Sequence, residues 1–346
     1  MSKVTVLGAG SWGTALALVL ADNGHGVRLW ARRAEQIEEI NSKHTNERYL
    51  PNITLPNEIV GYTDLEKAVE DAEAIVIVVP TKAMRETVAR LAKVLKEKVM
   101  VIHASKGIEP ETSKRISEII EEELPESLRK PVVVLSGPSH AEEVCLRQPT
   151  SVTVSSTDLS VAEGAQDLFM NQNFRVYTNP DIIGVEIGGA LKNIIALGVG
   201  LISGRKLGDN AKAAFMTRGL AEIARLGIKM GANPLTFSGL SGLGDLIVTC
   251  TSVHSRNWRA GQLLGRGKSL DEVLSEMGMV VEGVRTTKAV YSLAEKEGVE
   301  MPIMKQLYAV LFENKKPEQA LEELMERGKK HENEDLISLF QSVQKN

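Results

Sequence analysis

Five short apolar runs in the first half of the chain limit its fold more than any other feature. They are "KVTVLG" (3–8), "GVRLWA" (26–31), "AIVIVV" (74–79), "VMVIHA" (99–104) and "PVVVLSG" (131–137). Each is β-branched and apolar throughout instead of alternating, the pattern of strands covered on both faces. Between them lie stretches with helical spacing, at 15–23, 84–96 and 113–123. A β-α-β-α order with doubly covered strands predicts a mostly parallel, doubly wound α/β sheet. "TSVTVSS" (150–156) and "FRVYTN" (174–179) extend it by two more strands.

After Pro180 the texture changes to long helical segments at 181–203, 209–230, 255–264, 270–277, 283–297, 302–313 and 317–328. We therefore expect a dinucleotide-type α/β domain over 1–180 and an all-α domain over 181–346. The terminal stretch "KKHENEDLISLFQSVQKN" (329–346) reads as a closing helix.

Within the first strand-to-helix junction, Gly8, Gly10 and Gly13 form G-x-G-x-x-G. The first glycine permits the tight turn, the second lets backbone approach a pyrophosphate, and the third allows close helix–strand packing. Helix amides and the helix dipole then face the anion. About 20 residues further on, an NAD site usually presents an acidic residue to the ribose. Here "LWARRAE" places Arg32 and Arg33 at the strand end. Guanidinium forks suit a 2′-phosphate, so NADPH is the expected cofactor, with NADH the second candidate. The competing arrangement leaves both arginines solvated and gives the ribose to Glu35.

Two further loops follow predicted strands at their carboxyl ends, where such sheets bind ligands. "HASKGIE" carries Lys106, which could steady a phosphate or carbonyl, although taken alone it reads better as a solvated loop lysine. "SGPSHAEE" carries Gly137, Ser139 and His140 but lacks the G-x-S-x-G elbow of a hydrolase. "GRGKS" (265–269) lacks the first glycine of a phosphate loop, since residue 262 is Gln262. "GLSGLGDLIVTC" has Gly239, Gly242 and Gly244 without a fourth glycine at the required spacing; its glycines predict close backbone approach, with Asp245 at their end.

"EIGGALKNIIALGVG" (186–200) sets Lys192 and Asn193 inside an otherwise apolar helix. Lysine is almost never fully buried without a partner. Either the ammonium snorkels to a domain surface, or it is a functional group with a shifted pKa. Crossing a membrane with 182–202 would put Glu186 and Lys192 in hydrocarbon, at about 2.5–3.5 kcal/mol for a charge at mid-helix, so a buried core helix is expected. "HSRNWR" (254–259) gathers Ser255, Arg256 and Asn257, which read as a phosphate-binding trio or as a helix N-cap with polar followers.

Composition narrows the classes. A net charge of −4 gives no general reason to bind nucleic acid or anionic lipid. Cys145 and Cys250, far apart, exclude a disulfide framework and fit a reducing cytoplasm. The six histidines show no metal-ligand spacing, and no metal is expected. The opening "MSKVTVLGAG" enters a strand at once, so no leader is expected.

The stretches "GAGSWGTALA", "ASKGIE", "LSGPSHAEEV", "EIGGALKNIIALGVGLISG", "GDNAKAAFMTRGLAEIARLG", "FSGLSGLGDLIVTCTSVHSRNWRAG" and "VVEGVRTT" run in order through almost the whole chain. Together they resemble the bacterial NAD(P)-dependent glycerol-3-phosphate dehydrogenases. The resemblance implies a helical C-terminal domain of the 6-phosphogluconate dehydrogenase type. It implies reduction of dihydroxyacetone phosphate to sn-glycerol 3-phosphate for glycerophospholipid synthesis, by a cytoplasmic homodimer. It makes Lys192 the catalytic general acid/base. Cofactor positions are Ser11, Trp12, Arg32, Arg33, Lys106, Ala141, Arg256, Val280 and Glu282. Substrate positions are Lys106, Gly137, Ser139, Lys192, Asp245, Ser255, Arg256 and Asn257. Trp258 and Ala260 depart from the basic and aromatic residues expected there. Two other classes share part of the pattern: a β-hydroxyacid dehydrogenase acting on a hydroxycarboxylate, and a dinucleotide-binding sensor without turnover.

Overall fold

The computed structural model describes residues 2–278, 280–329 and 332. The chain divides into two compact units, residues 1–106 with 116–182, and residues 107–115 with 183–346. The excursion 107–115 carries Ile108 into the core of the second unit.

The first unit contains an eight-stranded sheet. Its strands are β1 (Lys3–Leu7), β2 (Gly26–Trp30), β3 (Ile59–Tyr62), β4 (Ala74–Ile77), β5 (Met100–His103), β6 (Val133–Ser136), β7 (Thr150–Ser155) and β8 (Phe174–Asn179). Their order is β3-β2-β1-β4-β5-β6-β7-β8. All neighbours are parallel except β6 and β7, which pair antiparallel with Leu135 opposite Val154. The doubly wound α/β class expected from the sequence is therefore the one observed. β3 was not visible as an apolar run, because "IVGY" is four residues long and carries the exposed Val60.

Continuous apolar strands are explained by two separate cores. Val4, Val6, Val76 and Ile102 meet α1 (Ser11–Asp22), α2 (Ala34–Lys43), α6 (Ala141–Cys145) and α7 (Leu159–Phe169) on one face. Leu7, Ile75, Ile77 and Val101 meet α3 (Leu65–Val69), α4 (Thr81–Val94) and α5 (Ile116–Glu123) on the other. Successive side chains of a strand point to opposite faces, so each strand must be apolar at every position to serve both. The strand order reverses beside β1, whose neighbours β2 and β4 lead away in opposite directions. Open α/β sheets bind ligands at that switch point.

The second unit is helical: α8 (Ile182–Gly204), α9 (Asp209–Lys229), α10 (Asp245–Thr251), α11 (Arg256–Gly265), α12 (Leu270–Met277), α13 (Glu282–Glu297), α14 (Pro302–Phe312) and α15 (Pro317–Met325). α8 is long and apolar enough to cross a membrane, but 94% of its most apolar window is buried within the protein. A helix apolar all round is a core helix, and Ile187, Leu191, Ile194 and Val199 pack on α9, α13 and α14 through Ile223, Leu226, Val290 and Leu307. "GRGKS" resolves as the end of α11 followed by Ser269, which caps α12 in a capping box with Glu272. Of the terminal stretch 329–346, all but Lys329 and Glu332 lies outside the described residues.

Candidate active site

In the first unit the glycine loop joins β1 to α1. Gly8 adopts φ +118°, and a Cβ there would lie 2.7 Å from the Val78 carbonyl oxygen. At Gly13 a Cβ would lie 1.9 Å from the Gly8 carbonyl oxygen, so neither position admits a side chain. Gly10 is different in kind: a Cβ there meets nothing within 4 Å. Its glycine is not demanded by protein packing, and the open space lies at the N-cap of α1. Thr14 N donates to Gly10 O as the first intrahelical bond, leaving the earlier amides for other partners. No acidic residue occupies the first turn of α1. These are the requirements of a pyrophosphate cradle, and a dinucleotide fits the residues present.

A buried polar network fixes the loop. Asn46 Nδ2 donates to Ala9 O at 3.1 Å and to Thr14 Oγ1 at 2.8 Å, and Gln36 Nε2 donates to the same carbonyl. Ser11 Oγ donates to Tyr49 O at 2.9 Å, while Trp12 packs half-buried against the core. Arg32 is exposed. Arg33 precedes α2, and its guanidinium donates to Gln36 Oε1 at 3.1 Å while sitting 5.6 Å from the Tyr49 ring centroid. Arg48 stands 6.0 Å from the same ring. Tyr49 and Arg48 were missed in the sequence: the only signal was a third arginine in "NERYL", with no spacing rule to link it to Arg33. Glu35 lies exposed in the first turn of α2.

The loops after β5 and β6 also belong to this unit. Lys106 is half-buried, and its carbonyl accepts from Thr81 Oγ1 at 3.3 Å. Ser105 Oγ donates to Val79 O at 2.6 Å, tying the β5 loop to the β4 loop. Gly137 has φ +144°, with Val152 Cα 2.9 Å from where a Cβ would be. Ser139 Oγ donates to Gly137 O at 2.9 Å, and Ala141 is buried as the first residue of α6. This is the expected turn, and among the described residues Ser139 Oγ is directed to the Gly137 carbonyl and not to a base.

In the second unit, Lys192 is 6% exposed and Asp245 is 1% exposed. Lys192 Nζ donates to Asp245 Oδ1 and, at 2.8 Å, to Thr249 Oγ1. Thr249 in turn donates to the Asp245 carbonyl at 2.6 Å. The partner that a buried ammonium requires is thus 53 residues away in sequence. A π-helical turn, Leu240–Gly244, delivers Asp245 to α8. Within "GLSGLG", a Cβ on Gly242 would lie 2.2 Å from the Phe237 carbonyl oxygen, and on α8 a Cβ on Gly188 would lie 2.7 Å from the Ser241 carbonyl oxygen. Such turns recur at functional sites. Burial pushes the neighbouring Cys250 thiol up to about 12, despite the opposing effect of Lys192, so it is no nucleophile.

Asn193 does not bond Lys192. Its Oδ1 accepts from Asn257 Nδ2 at 2.9 Å, and Asn257 Oδ1 accepts from Gly283 N at 2.8 Å. Asn257 therefore spends one of its two amide hydrogens on holding α11 and α13 to α8. Ser255 is the N-cap of α11, accepting from Trp258 N at 3.2 Å. Arg256 is exposed, and its Nη1 donates to Val280 O at 3.4 Å. Glu282 opens α13. The approach of α11 to α8 is set by four glycines: a Cβ on Gly200 would lie 2.0 Å from Trp258 O, and one on Gly261 would lie 1.9 Å from Leu197 O, with Gly204 and Gly265 repeating the contact one turn on. In place of the expected aromatic residue, Ala260 is fully buried at this crossing.

Arg115, half-buried, and the buried Glu186 form another ion pair in this unit, at 2.5 Å. Both charges near the start of α8 are thereby compensated.

Fold and site define a class: a Rossmann-type dinucleotide-binding protein whose helical unit buries a lysine–carboxylate pair. Within it, the chain belongs to the NAD-dependent glycerol-3-phosphate dehydrogenase family, whose N-terminal part matches residues 3–162 and whose C-terminal part matches residues 181–322. The chain is 67% identical over 339 residues to the glycerol-3-phosphate dehydrogenase (NAD(P)+) of Bacillus cytotoxicus, covering 98% of this chain and 99% of that one. It is 64% identical over 342 residues to the enzyme of the same name from Bacillus subtilis, covering 99% of each. The crystal structure of glycerol-3-phosphate dehydrogenase from Coxiella burnetii superposes with a TM-score of 0.90 at 41% identity, covering 94% of this chain and 99% of that one.

Proposed function

We infer that the protein is an NAD(P)-dependent glycerol-3-phosphate dehydrogenase in which Lys192 is the general acid/base. The observation that carries the residue assignment is the buried Lys192–Asp245–Thr249 cluster. A carboxylate beside the amine favours the ammonium form, the species able to protonate a carbonyl oxygen. When bound, the reduced dinucleotide supplies the hydride.

Lys192 polarises the ketone of dihydroxyacetone phosphate by hydrogen bonding to its oxygen. As the new C–H bond forms, Lys192 gives its proton to that oxygen, and the product is sn-glycerol 3-phosphate. The neutral amine then regains a proton from water. In the reverse direction it takes the hydroxyl proton. Asp245 and Thr249 fix the direction of Nζ, so little reorganisation remains at the moment of transfer. Arg256, with Ser255 and Asn257 at the N-terminus of α11, grips the phosphate dianion. Lys106, Gly137 and Ser139 complete the substrate contacts.

On the cofactor side, Gly8, Gly10, Gly13, Ser11 and Trp12 take the pyrophosphate end, and Arg32 and Arg33 take the 2′-phosphate. Ala141, Val280, Glu282, Lys106 and Arg256 serve the remainder. The preference for NADPH rests on Arg33, held against Tyr49 and Gln36 at the end of β2. The reading includes a cytoplasmic homodimer, consistent with two buried free thiols, and a product used to build glycerophospholipids.

Loss of NADPH absorbance on adding dihydroxyacetone phosphate tests the activity. Turnover of a β-keto acid of similar size without turnover of the phosphorylated ketone would overturn it in favour of a hydroxyacid dehydrogenase. NADPH binding with neither substrate consumed would leave a sensor.

A further inference from the structure

The turn 46–50, "NERYL", holds its tip in a fixed place. Asn46 and Leu50 are each 1% exposed and form an antiparallel bridge, and Tyr49 N and Leu50 N donate to Asn46 O at 3.0 and 2.9 Å. With both ends buried, Glu47 and Arg48 are left exposed at the tip. The Asn46 amide binds Ala9 O and Thr14 Oγ1, and Tyr49 O accepts from Ser11 Oγ. The turn is thus fastened to the glycine loop both before and after Gly10. Arg48 is carried by a rigid extension of that loop, although it follows β2 by a whole helix.

Arg33 and Arg48 share the Tyr49 ring, with guanidinium carbons 5.6 and 6.0 Å from its centroid. Arg33 Nη2 also donates to Gln36 Oε1 at 3.1 Å and to Tyr49 Oη at 3.5 Å. Among the described residues Arg48 makes no hydrogen bond or ion pair, and neither arginine is paired with a carboxylate. Acids of the same stretch are turned to backbone and hydroxyl groups instead. Glu39 Oε1 accepts from Thr45 Oγ1 at 2.9 Å and Glu47 N at 2.8 Å, and Glu47 Oε2 accepts from Asn52 N at 3.4 Å. The chain has 45 acidic residues against 41 Lys and Arg, so acids to neutralise this corner are not scarce. Two like charges on one ring repel each other, and an anion beside them removes the conflict.

We propose that Arg48 determines specificity for the phosphorylated dinucleotide, gripping the 2′-phosphate together with Arg33 while Tyr49 spaces the two guanidinium groups. The proposal rests on the dinucleotide reading given above and adds a residue which that reading leaves out. A phosphate dianion offers several acceptor oxygens and suits more than one guanidinium fork. Arg33, partly committed to Gln36, supplies the fixed contact. Arg48, exposed and uncommitted, swings onto the phosphate from the other turn. Because that turn is bonded to Ala9, Ser11 and Thr14, the pyrophosphate cradle and the 2′-phosphate contact form one preorganised piece.

Adenosine 2′,5′-bisphosphate and adenosine 5′-monophosphate differ only in the group at issue. Calorimetric titration of the full chain with each reads affinity without turnover. The wild type should bind the bisphosphate at least tenfold more tightly. Arg48→Ala should shrink that ratio about tenfold, the low end for a hydrogen bond to a charged group, as befits an exposed site. Arg48→Lys should restore part of the ratio, with the thermal midpoint of both variants unchanged. A wild-type ratio in Arg48→Ala, with the ratio lost in Arg33→Ala, would refute the role of Arg48 and leave the phosphate to Arg33. Equal weakening of both ligands in Arg48→Ala would also refute it, since the residue would then only prop the glycine loop. A ratio near one in the wild type would strike the NADPH preference itself, and the proposal with it.

Discussion

The two units handle charge by opposite means. The first offers backbone: Gly10 leaves an open space at the start of α1, and the amides there supply positive potential with no cationic side chain committed to it. The second offers side chains in a low-dielectric helix bundle, where Lys192 is tolerated because Asp245 and Thr249 satisfy it. A backbone site costs little to keep and recognises an anion through geometry. A buried ion pair costs desolvation and is weak support for the fold. Its presence in the middle of a helix as apolar as α8 therefore calls for a chemical reason.

The contrast is broken most directly at Lys192. Lys192→Met keeps the apolar stem and removes the ammonium. Turnover of dihydroxyacetone phosphate should fall by about 10²–10⁴-fold, the usual contribution of a general acid. NADPH affinity, measured by fluorescence titration, should stay within twofold of wild type, because Lys192 is not among the cofactor positions. Wild-type kcat in the variant would leave Lys192 a structural residue only. A large loss of NADPH affinity would show that the division of labour is wrong.

Another buried ionisable group in the helical unit, Glu222, tests whether burial alone has chemical meaning there. Glu222 is 3% exposed and accepts from Ile303 N at 2.8 Å and Met304 N at 3.2 Å at the start of α14. Burial raises its carboxyl from 4.5 to about 7, against the lowering effect of those two amides and of Arg225 and Arg327. Below pH 4.5 it is protonated in folded and unfolded chains alike. Between about pH 4.5 and 7 the folded chain holds the proton longer, so stability falls as pH rises through that window. The total is about 3 kcal/mol at 1.36 kcal/mol per unit. Glu222→Gln removes the titration. Denaturant unfolding at pH 5 and pH 8 should then show the wild type losing about that much more stability than the variant across the interval. Parallel pH profiles for the two would contradict the assignment. Burial here serves to cap a helix, with no role in turnover expected.

How much of this could be read from the chain depends on distance along it. The glycine fingerprint, the doubly covered strands and the arginines at the end of β2 lie within a short stretch, and each follows a local rule. In the helical unit the lysine was conspicuous, but its partners were not. Asp245 reaches it through a π-helical turn, and Thr249 follows one helical turn later. Asn257 was legible as a polar residue beside Arg256, but its bonds to Asn193 and Gly283, which span 64 and 26 residues, were not. Likewise, Gly200, Gly204, Gly261 and Gly265 carry no signal until α8 and α11 are known to touch. Arg48 and Tyr49 were illegible for the same reason: nothing in "NERYL" says that the loop returns to Arg33.

The gentlest test bears on the backbone half and separates the protein's needs from the ligand's. Gly10 has φ −78° and ψ −178°, an extended conformation open to any residue, and a Cβ there meets no protein atom within 4 Å. Gly10→Ala should therefore leave stability unchanged or raise it by about 0.4–1 kcal/mol, since alanine restricts the unfolded chain. Gly13→Ala cannot behave this way, with the Gly8 carbonyl oxygen 1.9 Å from its new methyl. If the open space is where a pyrophosphate approaches the backbone, Gly10→Ala should weaken NADPH at least tenfold while its thermal midpoint holds or rises. Unchanged NADPH affinity in a fully folded Gly10→Ala would mean that the space faces only water, and that α1 does not bind the cofactor end-on. Destabilisation equal to that of Gly13→Ala would mean instead that the glycine loop is packed against protein at all three positions, and the distinction between a backbone site and a side-chain site would fail at its first residue.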